Sequence, residues 1–223
     1  MELLESIRSR ISIRGYKSTP IPKEILQEIL EIATCTPSAN NTQPWEFIVI
    51  GGKVLEDLNK ALEEQFLAGV APVPDFFKYY KPYTGIYRKR QTELAAAIFR
   101  VMGIAREDKD KRKQWNVKML HSFGAPIVIL ISVDEAASSF FGVFGLGAVS
   151  QTIALAALNY GLGTCIMADI VKYPDVVRQV VGIPESKKLA MSISIGYPDW
   201  DLPINKLRID REPFKNIVTW HGI

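Results

Sequence analysis

The run Pro126 to Val133, Pro-Ile-Val-Ile-Leu-Ile-Ser-Val, most constrains what this chain can fold into. It is apolar on both faces that alternate along a strand, so it belongs at the centre of a sheet with cover on each side. The sequence supplies that cover. Pro22 to Ala33 repeats Ile25, Leu26, Ile29, Leu30 and Ala33 at helical spacing, behind a proline suited to a first turn. Val54 to Leu67 and Val143 to Tyr160 are further helices. The second carries Gly145, Gly147, Ala148, Ala154, Ala156 and Ala157, small residues that predict close burial against another helix. Trp45 to Ile50, Cys165 to Ala168 and Leu189 to Ile195 are expected as strands, with Asn216 to Trp220 as a last short one.

Between residues 68 and 119 the character changes. Pro72, Pro74 and Pro82 break the chain, and Phe76, Phe77, Tyr79, Tyr80, Tyr83, Tyr87 and Trp115 crowd among lysines and arginines. This stretch reads as a helical excursion, either a peripheral packing unit or a lid facing a substrate. No repeat or linker divides the chain, so residues 1–223 are expected to form a single domain.

Charge excludes some partners. A net charge of +3 is spread along a chain in which acids and bases alternate, so neither a nucleic-acid surface nor a membrane patch is expected. Met1 to Arg8 reads as an amphipathic helix rather than a leader, and no uninterrupted apolar run reaches the roughly 20 residues that span a bilayer. Cys35 and Cys165 both stand in apolar company and are expected as buried, reduced thiols of a cytoplasmic protein.

Hydrolytic and metal chemistry find little support. His121 and His221 are the two histidines, without ligand spacing, and no Gly-x-Ser-x-Gly elbow is present. Gly142-Val-Phe-Gly-Leu-Gly147 lacks the glycine order of a dinucleotide fingerprint and is better read as helix packing.

Two segments suggest ligand binding instead. Thr36 to Ile50 joins a helix end to a strand through Ser38, Asn40, Asn41, Thr42 and Gln43, all uncharged hydrogen-bonding residues held between prolines. Such a loop is either a capped turn or a surface that reads the edge of a planar heterocycle. Near the N-terminus, Arg8-Ser-Arg-Ile-Ser-Ile-Arg14 alternates guanidiniums and hydroxyls with isoleucines. A phosphate suits this pattern, since each charge-assisted hydrogen bond contributes about 1.5–3 kcal/mol; a solvated helix end is the alternative. Lys206-Leu-Arg-Ile-Asp-Arg211 is a second cationic cluster.

Taken together the segments resemble the FMN-dependent nitroreductase family. The resemblance rests on five ordered motifs: Arg10-Ile-Ser-Ile-Arg-Gly-Tyr16, Pro37 to Trp45, Gly161 to Thr164, Gly196-Tyr-Pro198 and Arg211-Glu-Pro213. The ending Arg211 to Gly222 is similar to the p-nitrobenzoate reductase branch, and iodotyrosine deiodinases are a more distant likeness. The resemblance implies an α+β fold, with a mixed, largely antiparallel sheet flanked by helices, in an intertwined homodimer. It places FMN at the dimer interface and sends the C-terminal segment across to the partner.

Residue by residue, the resemblance implies that Arg10, Ser12 and Arg211 hold the flavin phosphate, with Arg208 as a helper. Ile11 lies in the same element, where family members carry a second arginine that Arg8 could replace. Arg14 would stand near the N1–C2 edge of the flavin. Ser38, Asn41 and Gln43 would address the ribityl chain and pyrimidine edge, and the backbone of Ile166, Met167 and Ala168 would approach N5. The implied reaction is hydride transfer from NAD(P)H through flavin N5 to a nitroaromatic or other electron-poor aromatic acceptor, by ping-pong exchange at one site. No catalytic side chain is required. Phe76, Tyr79, Tyr83 and Trp115 are the candidates for orienting the acceptor. A reductive dehalogenase, or a general flavin or quinone reductase on the same scaffold, is the alternative activity.

Overall fold

The computed structural model describes residues 2–76 and 81–223; Phe77, Tyr79 and Tyr80 of the excursion lie outside them. Four strands form one sheet in the order β1 (Trp45–Gly51), β2 (Ile127–Asp134), β4 (Lys187–Gly196), β3 (Gly163–Met167). Every neighbouring pair is antiparallel. The parallel component is a short bridge between Ser12 and Thr164, which adds the N-terminal segment outside β3.

β2 is central, and its side chains alternate between two cores. Ile129, Ile131 and Val133 face Leu26 and Ile29 of α2 (Lys23–Ala33) and Val149 and Ile153 of α6 (Phe140–Leu158). Val128 and Leu130 face Leu58 and Leu62 of α3 (Gly52–Leu67) and Val177 of α7 (Pro174–Val181). Both faces of the apolar run are thus covered, which removes the water that would otherwise compete for it. α1 (Leu3–Ser9) precedes this body.

α6 begins three residues before the apolar periodicity suggests. The Ser139 hydroxyl accepts the Gly142 N–H at 3.2 Å and caps it. α6 is also long and apolar enough to cross a membrane by length and composition. Its residues Leu146, Val149, Ile153 and Ala157 are buried in the core, which accounts for that composition.

The excursion is helical as expected, with α4 (Gly85–Val101) and α5 (Lys109–Leu120). Its entry is fixed where the Asp75 carboxylate accepts the Leu189 N–H at 2.7 Å and a guanidinium N–H of Arg178 at 2.6 Å.

Three expectations are corrected. Asn216 to Trp220 forms no strand; residues Phe214–Asn216 make a 3-10 turn and the tail after it pairs with no edge among the described residues. Cys35 is exposed, because it follows the end of α2 in an open turn, whereas Cys165 is buried. Trp115 is only 5% exposed, packed with Ile98 and Ile204 and against the Phe123 ring at 5.5 Å. Its indole is the core of the excursion and is not free to meet an acceptor.

Candidate functional site

The site is built outward from β3. Beyond α1 the chain turns extended, and the Ile13 N–H donates to the Thr164 carbonyl at 2.9 Å. Ile13 is buried, and alternation along the segment turns Ser12 and Arg14 towards the opposite side. Close approach here depends on Gly163, where an added Cβ would lie 2.4 Å from Ile13 Cγ1 and 2.8 Å from Pro198 Cγ. Tyr16 then hooks the segment to β4. Its hydroxyl reaches the carbonyls of Ile13 (3.0 Å) and Ser194 (3.2 Å) and the Ser194 hydroxyl (2.9 Å). Burial pushes the Tyr16 phenol well above its ordinary pKa.

The C-terminal cationic cluster meets this segment through Asn205. The Arg14 N–H donates to its side-chain oxygen at 2.7 Å, and its amide NH2 donates to the carbonyls of Gly15 and Asp199, both at 2.8 Å. An Arg208 guanidinium N–H donates to the Asn205 carbonyl at 3.2 Å.

The result is a cavity of about 540 Å³ into which five arginines converge: Arg8, Arg10 and Arg14 from one end of the chain, Arg208 and Arg211 from the other. Ser12, Ile11, Leu207 and Ile209 share the lining with Leu94 of α4 and Gln151 of α6. Among the described residues no carboxylate lines it. Burial, and then the charge of Arg211, pull the Arg10 guanidinium below its ordinary pKa. Like charges gathered without a counter-ion repel one another at a cost that an anion removes, so this arrangement is chemically a receptor for phosphate or a similar group. Beneath it lies the Cys165 thiol, pushed up by burial and partly restored by the Arg14 charge and a hydrogen bond with Ser12.

Six of the sequence-expected residues therefore share one cavity: Arg10, Ile11, Ser12, Arg14, Arg208 and Arg211. Ile166 and Met167 follow Thr164 along β3, with Ala168 just beyond, but line no part of it. The loop bearing Ser38, Asn41 and Gln43 does not line it either. That loop lies over α6, with Pro44 3.4 Å from where a Gly145 Cβ would stand.

The loop is strained. Asn40, Asn41 and Gln43 have φ of 51°, 55° and 45°, while Ser38 Oγ accepts the Gln43 N–H at 2.9 Å. Left-handed backbone at residues other than glycine costs about 1–3 kcal/mol each, least for asparagine, and such strain gathers at ligand sites.

Of the aromatic candidates, Phe76 packs half-buried on the sheet, and Tyr79 lies outside the described residues. Tyr83 is 61% exposed and lines a second cavity of about 1080 Å³ between α4 and the C-terminal tail. That cavity shares Leu94, Arg208, Ile209 and Arg211 with the first. His121 stands 3.0 Å from the Glu63 carboxylate of α3, misaligned for a hydrogen bond and remote in sequence from both cavities' linings. No cluster of metal-ligating residues occurs among the described residues.

Sequence reasoning missed Leu94, Gln151, Leu207 and Asn205. Gln151 carried a signal, a long amide in an otherwise apolar helix. Asn205 stands beside cations in the sequence and carries no local pattern of its own.

Known proteins resemble this chain over most of its length. A family model described as the nitroreductase family matches residues 7–197. The chain is 31% identical to a nitroreductase NfnB of Mycolicibacterium smegmatis over 92% of this chain and 86% of that protein. It is 28% identical to a 4-nitrobenzoate reductase of a Nocardioides species, over 96% of this chain and 87% of the relative. A crystal structure of the FMN-dependent nitroreductase NfnB from Mycobacterium smegmatis in complex with NADPH superimposes with a TM-score of 0.92 at 28% identity, covering 98% of this chain and 97% of that one.

Proposed function

The chain belongs to the nitroreductase family, and from that premise we propose that it is an FMN-dependent oxidoreductase taking electrons from NAD(P)H and delivering them to nitroaromatic or similar electron-poor acceptors. The observation that carries this reading is the cavity of five guanidiniums without a carboxylate. Its donor set fits FMN: a dianionic phosphate answers the gathered charge, and apolar Ile11, Leu207 and Ile209 beside it offer contact to the rest of a long ligand.

Within that reading Arg10, Ser12, Arg208 and Arg211 grip the phosphate, and Arg8 takes the part left vacant by Ile11. Arg14, permanently charged, stands by the flavin's pyrimidine edge, where it favours the anionic reduced form. Bound FMN supplies the two-electron chemistry between donor and acceptor. The protein's own residues bind it, orient it and set the charge around it, and no side chain acts as acid or base.

The Ser38–Gln43 loop lies outside the arginine cavity of its own chain, and its left-handed backbone at Asn40, Asn41 and Gln43 supports a reading in which it completes the site of a partner protomer. A homodimer also accounts for apolar side chains left in the open: Leu3, Leu4 and Ile7 of α1, Phe140, Phe141 and Phe144 of α6, and Phe214, Ile217 and Trp220 of the tail. The excursion, with α4 against the second cavity, forms the acceptor side of this single domain. A reducing cytoplasmic setting suits the two free thiols.

The test is direct. Purified protein should be yellow, and NADH or NADPH should bleach it anaerobically; 4-nitrobenzoate should then restore the colour. Protein that stays colourless after soaking in FMN and dialysis overturns the reading. Halide release from a halotyrosine with negligible nitro reduction would move the activity to reductive dehalogenation.

A further inference from the structure

Asn205 is fully buried, at 0% exposure, and every polar group it owns is engaged. Its side-chain oxygen takes the Arg14 N–H, its NH2 serves the carbonyls of Gly15 and Asp199, its own N–H donates to Leu202 at 3.1 Å, and its carbonyl holds Arg208. Partners at residues 14 and 15 are 191 and 190 positions away in sequence.

We infer that Asn205 is a positioning residue that locks the Arg14 and Arg208 clusters into one register, so that arginines from opposite ends of the chain act as a single phosphate receptor. The inference rests on the proposed FMN site. It is separable from stability because other anchors hold the N-terminal segment to the sheet. The Ile13–Thr164 bond and the Tyr16 hydroxyl on Ser194 do not pass through Asn205. Removing Asn205 therefore leaves the edge in place and frees the relative position of residues 14–15 and 205–208. Gly15 shows how close that contact is: an added Cβ would lie 2.2 Å from Leu202 Cδ1 and 3.6 Å from the Asn205 amide nitrogen. A shorter side chain at 205 cannot reach across, and a carboxylate keeps the oxygen for Arg14 while setting a negative oxygen against two carbonyls.

The experiment compares the affinity of apoprotein for FMN with that for riboflavin, which lacks the phosphate, by flavin fluorescence quenching well below the melting temperature. Wild type should prefer FMN strongly. Asn205→Ser should cut that preference about tenfold or more, the range of a lost charge-assisted hydrogen bond, while riboflavin affinity stays within about threefold. Asn205→Asp conserves volume, carries the test should the serine variant fold poorly, and should lower the ratio at least as far. Arg208→Gln should lower the ratio alone and add little on top of Asn205→Ser, since coupled residues are not additive. A ratio unchanged in both Asn205 variants, with only the melting temperature lowered, overturns the inference and leaves the FMN reading standing. No FMN preference in wild type overturns both.

Discussion

Along residues 12–17 the chain is stitched to β3 and β4 by backbone bonds and by the buried hydroxyl of Tyr16. From Arg208 onward the tail lies against α4 with an exposed ion pair between Arg90 and Glu212 as its anchor. The two stretches border the same arginine cavity. The first buries polar groups that would have nowhere else to bond if it moved, so its position is enforced by the full cost of desolvation. Within its own chain the second leaves most of its groups exposed, where an ion pair contributes little. The difference teaches where tolerance lies: the sheet edge that carries Arg10, Ser12 and Arg14 is fixed, whereas the tail that brings Arg208 and Arg211 to the same cavity is held less firmly by its own chain.

The severest way to break this contrast is to crowd the fixed edge. Gly163→Val places atoms where Ile13 and Pro198 already stand. Overpacking costs about 1–3 kcal/mol, and each kcal/mol lowers the melting temperature by about 2–4 °C in a chain of this size. A fall of several degrees with loss of bound FMN is expected by calorimetry and absorbance. An unchanged melting curve would mean that the edge yields as readily as the tail.

Next in size is the charge itself. Arg211→Ala should weaken FMN binding about tenfold or more, and lower thermal stability unless excess cofactor is supplied. Arg90→Ala, on the exposed flank, should leave both nearly unchanged. Equal losses in the two variants, measured by equilibrium dialysis, would mean that the Arg90–Glu212 pair holds the tail in place as firmly as Arg211 holds the phosphate.

The buried phenol makes the fixed edge sensitive to alkali. Burial first, and then the neighbouring Cys165 thiol, hold the Tyr16 pKa above its unfolded value of about 10. The folded state therefore keeps a proton that the unfolded chain releases. This stabilisation is complete below pH 10 and is lost as pH rises through the folded pKa. Tyr16→Phe should flatten the alkaline limb of a urea-midpoint series between about pH 9 and 11, while lowering the neutral midpoint through its three lost hydroxyl contacts. An alkaline limb identical to wild type would remove Tyr16 from that role.

What the sequence made legible follows the same division. β2 declared its central place because alternation and apolarity are local properties of eight residues. The two arginine clusters were visible because guanidiniums among isoleucines are locally anomalous. Their meeting was implied by the family resemblance and by no local pattern, and Asn205, which joins the two segments, is an ordinary residue whose partners are brought to it by the fold alone. Trp115 misled because α5 is rich in lysine and looks solvated all round, yet Trp115 and Leu120 are its buried pair. Ile217-Val-Thr-Trp220 has strand composition, but β-propensity expresses packing against a neighbour, and among the described residues the tail has no neighbouring strand. That Ser38, Asn41 and Gln43 lie outside the cavity of their own chain concerns the placement of a loop, which no local pattern encodes.

The gentlest perturbation addresses the adjustable side. Tyr83 exposes most of its ring to the cavity between α4 and the tail, and no described hydrogen bond engages its hydroxyl. Removing the ring should leave the sheet edge and the arginines undisturbed. Tyr83→Ala is expected to change the KM for nitroaromatic acceptors several-fold while FMN affinity stays within about twofold, because only contact to a transient ligand is lost. Tyr83→Phe separates ring from hydroxyl: retention of the wild-type KM assigns the contact to the aromatic face, whereas a change matching alanine assigns it to the hydroxyl. Should FMN affinity fall and acceptor KM hold, Tyr83 belongs with the fixed side, and the boundary between the two regions runs through α4 rather than along the tail.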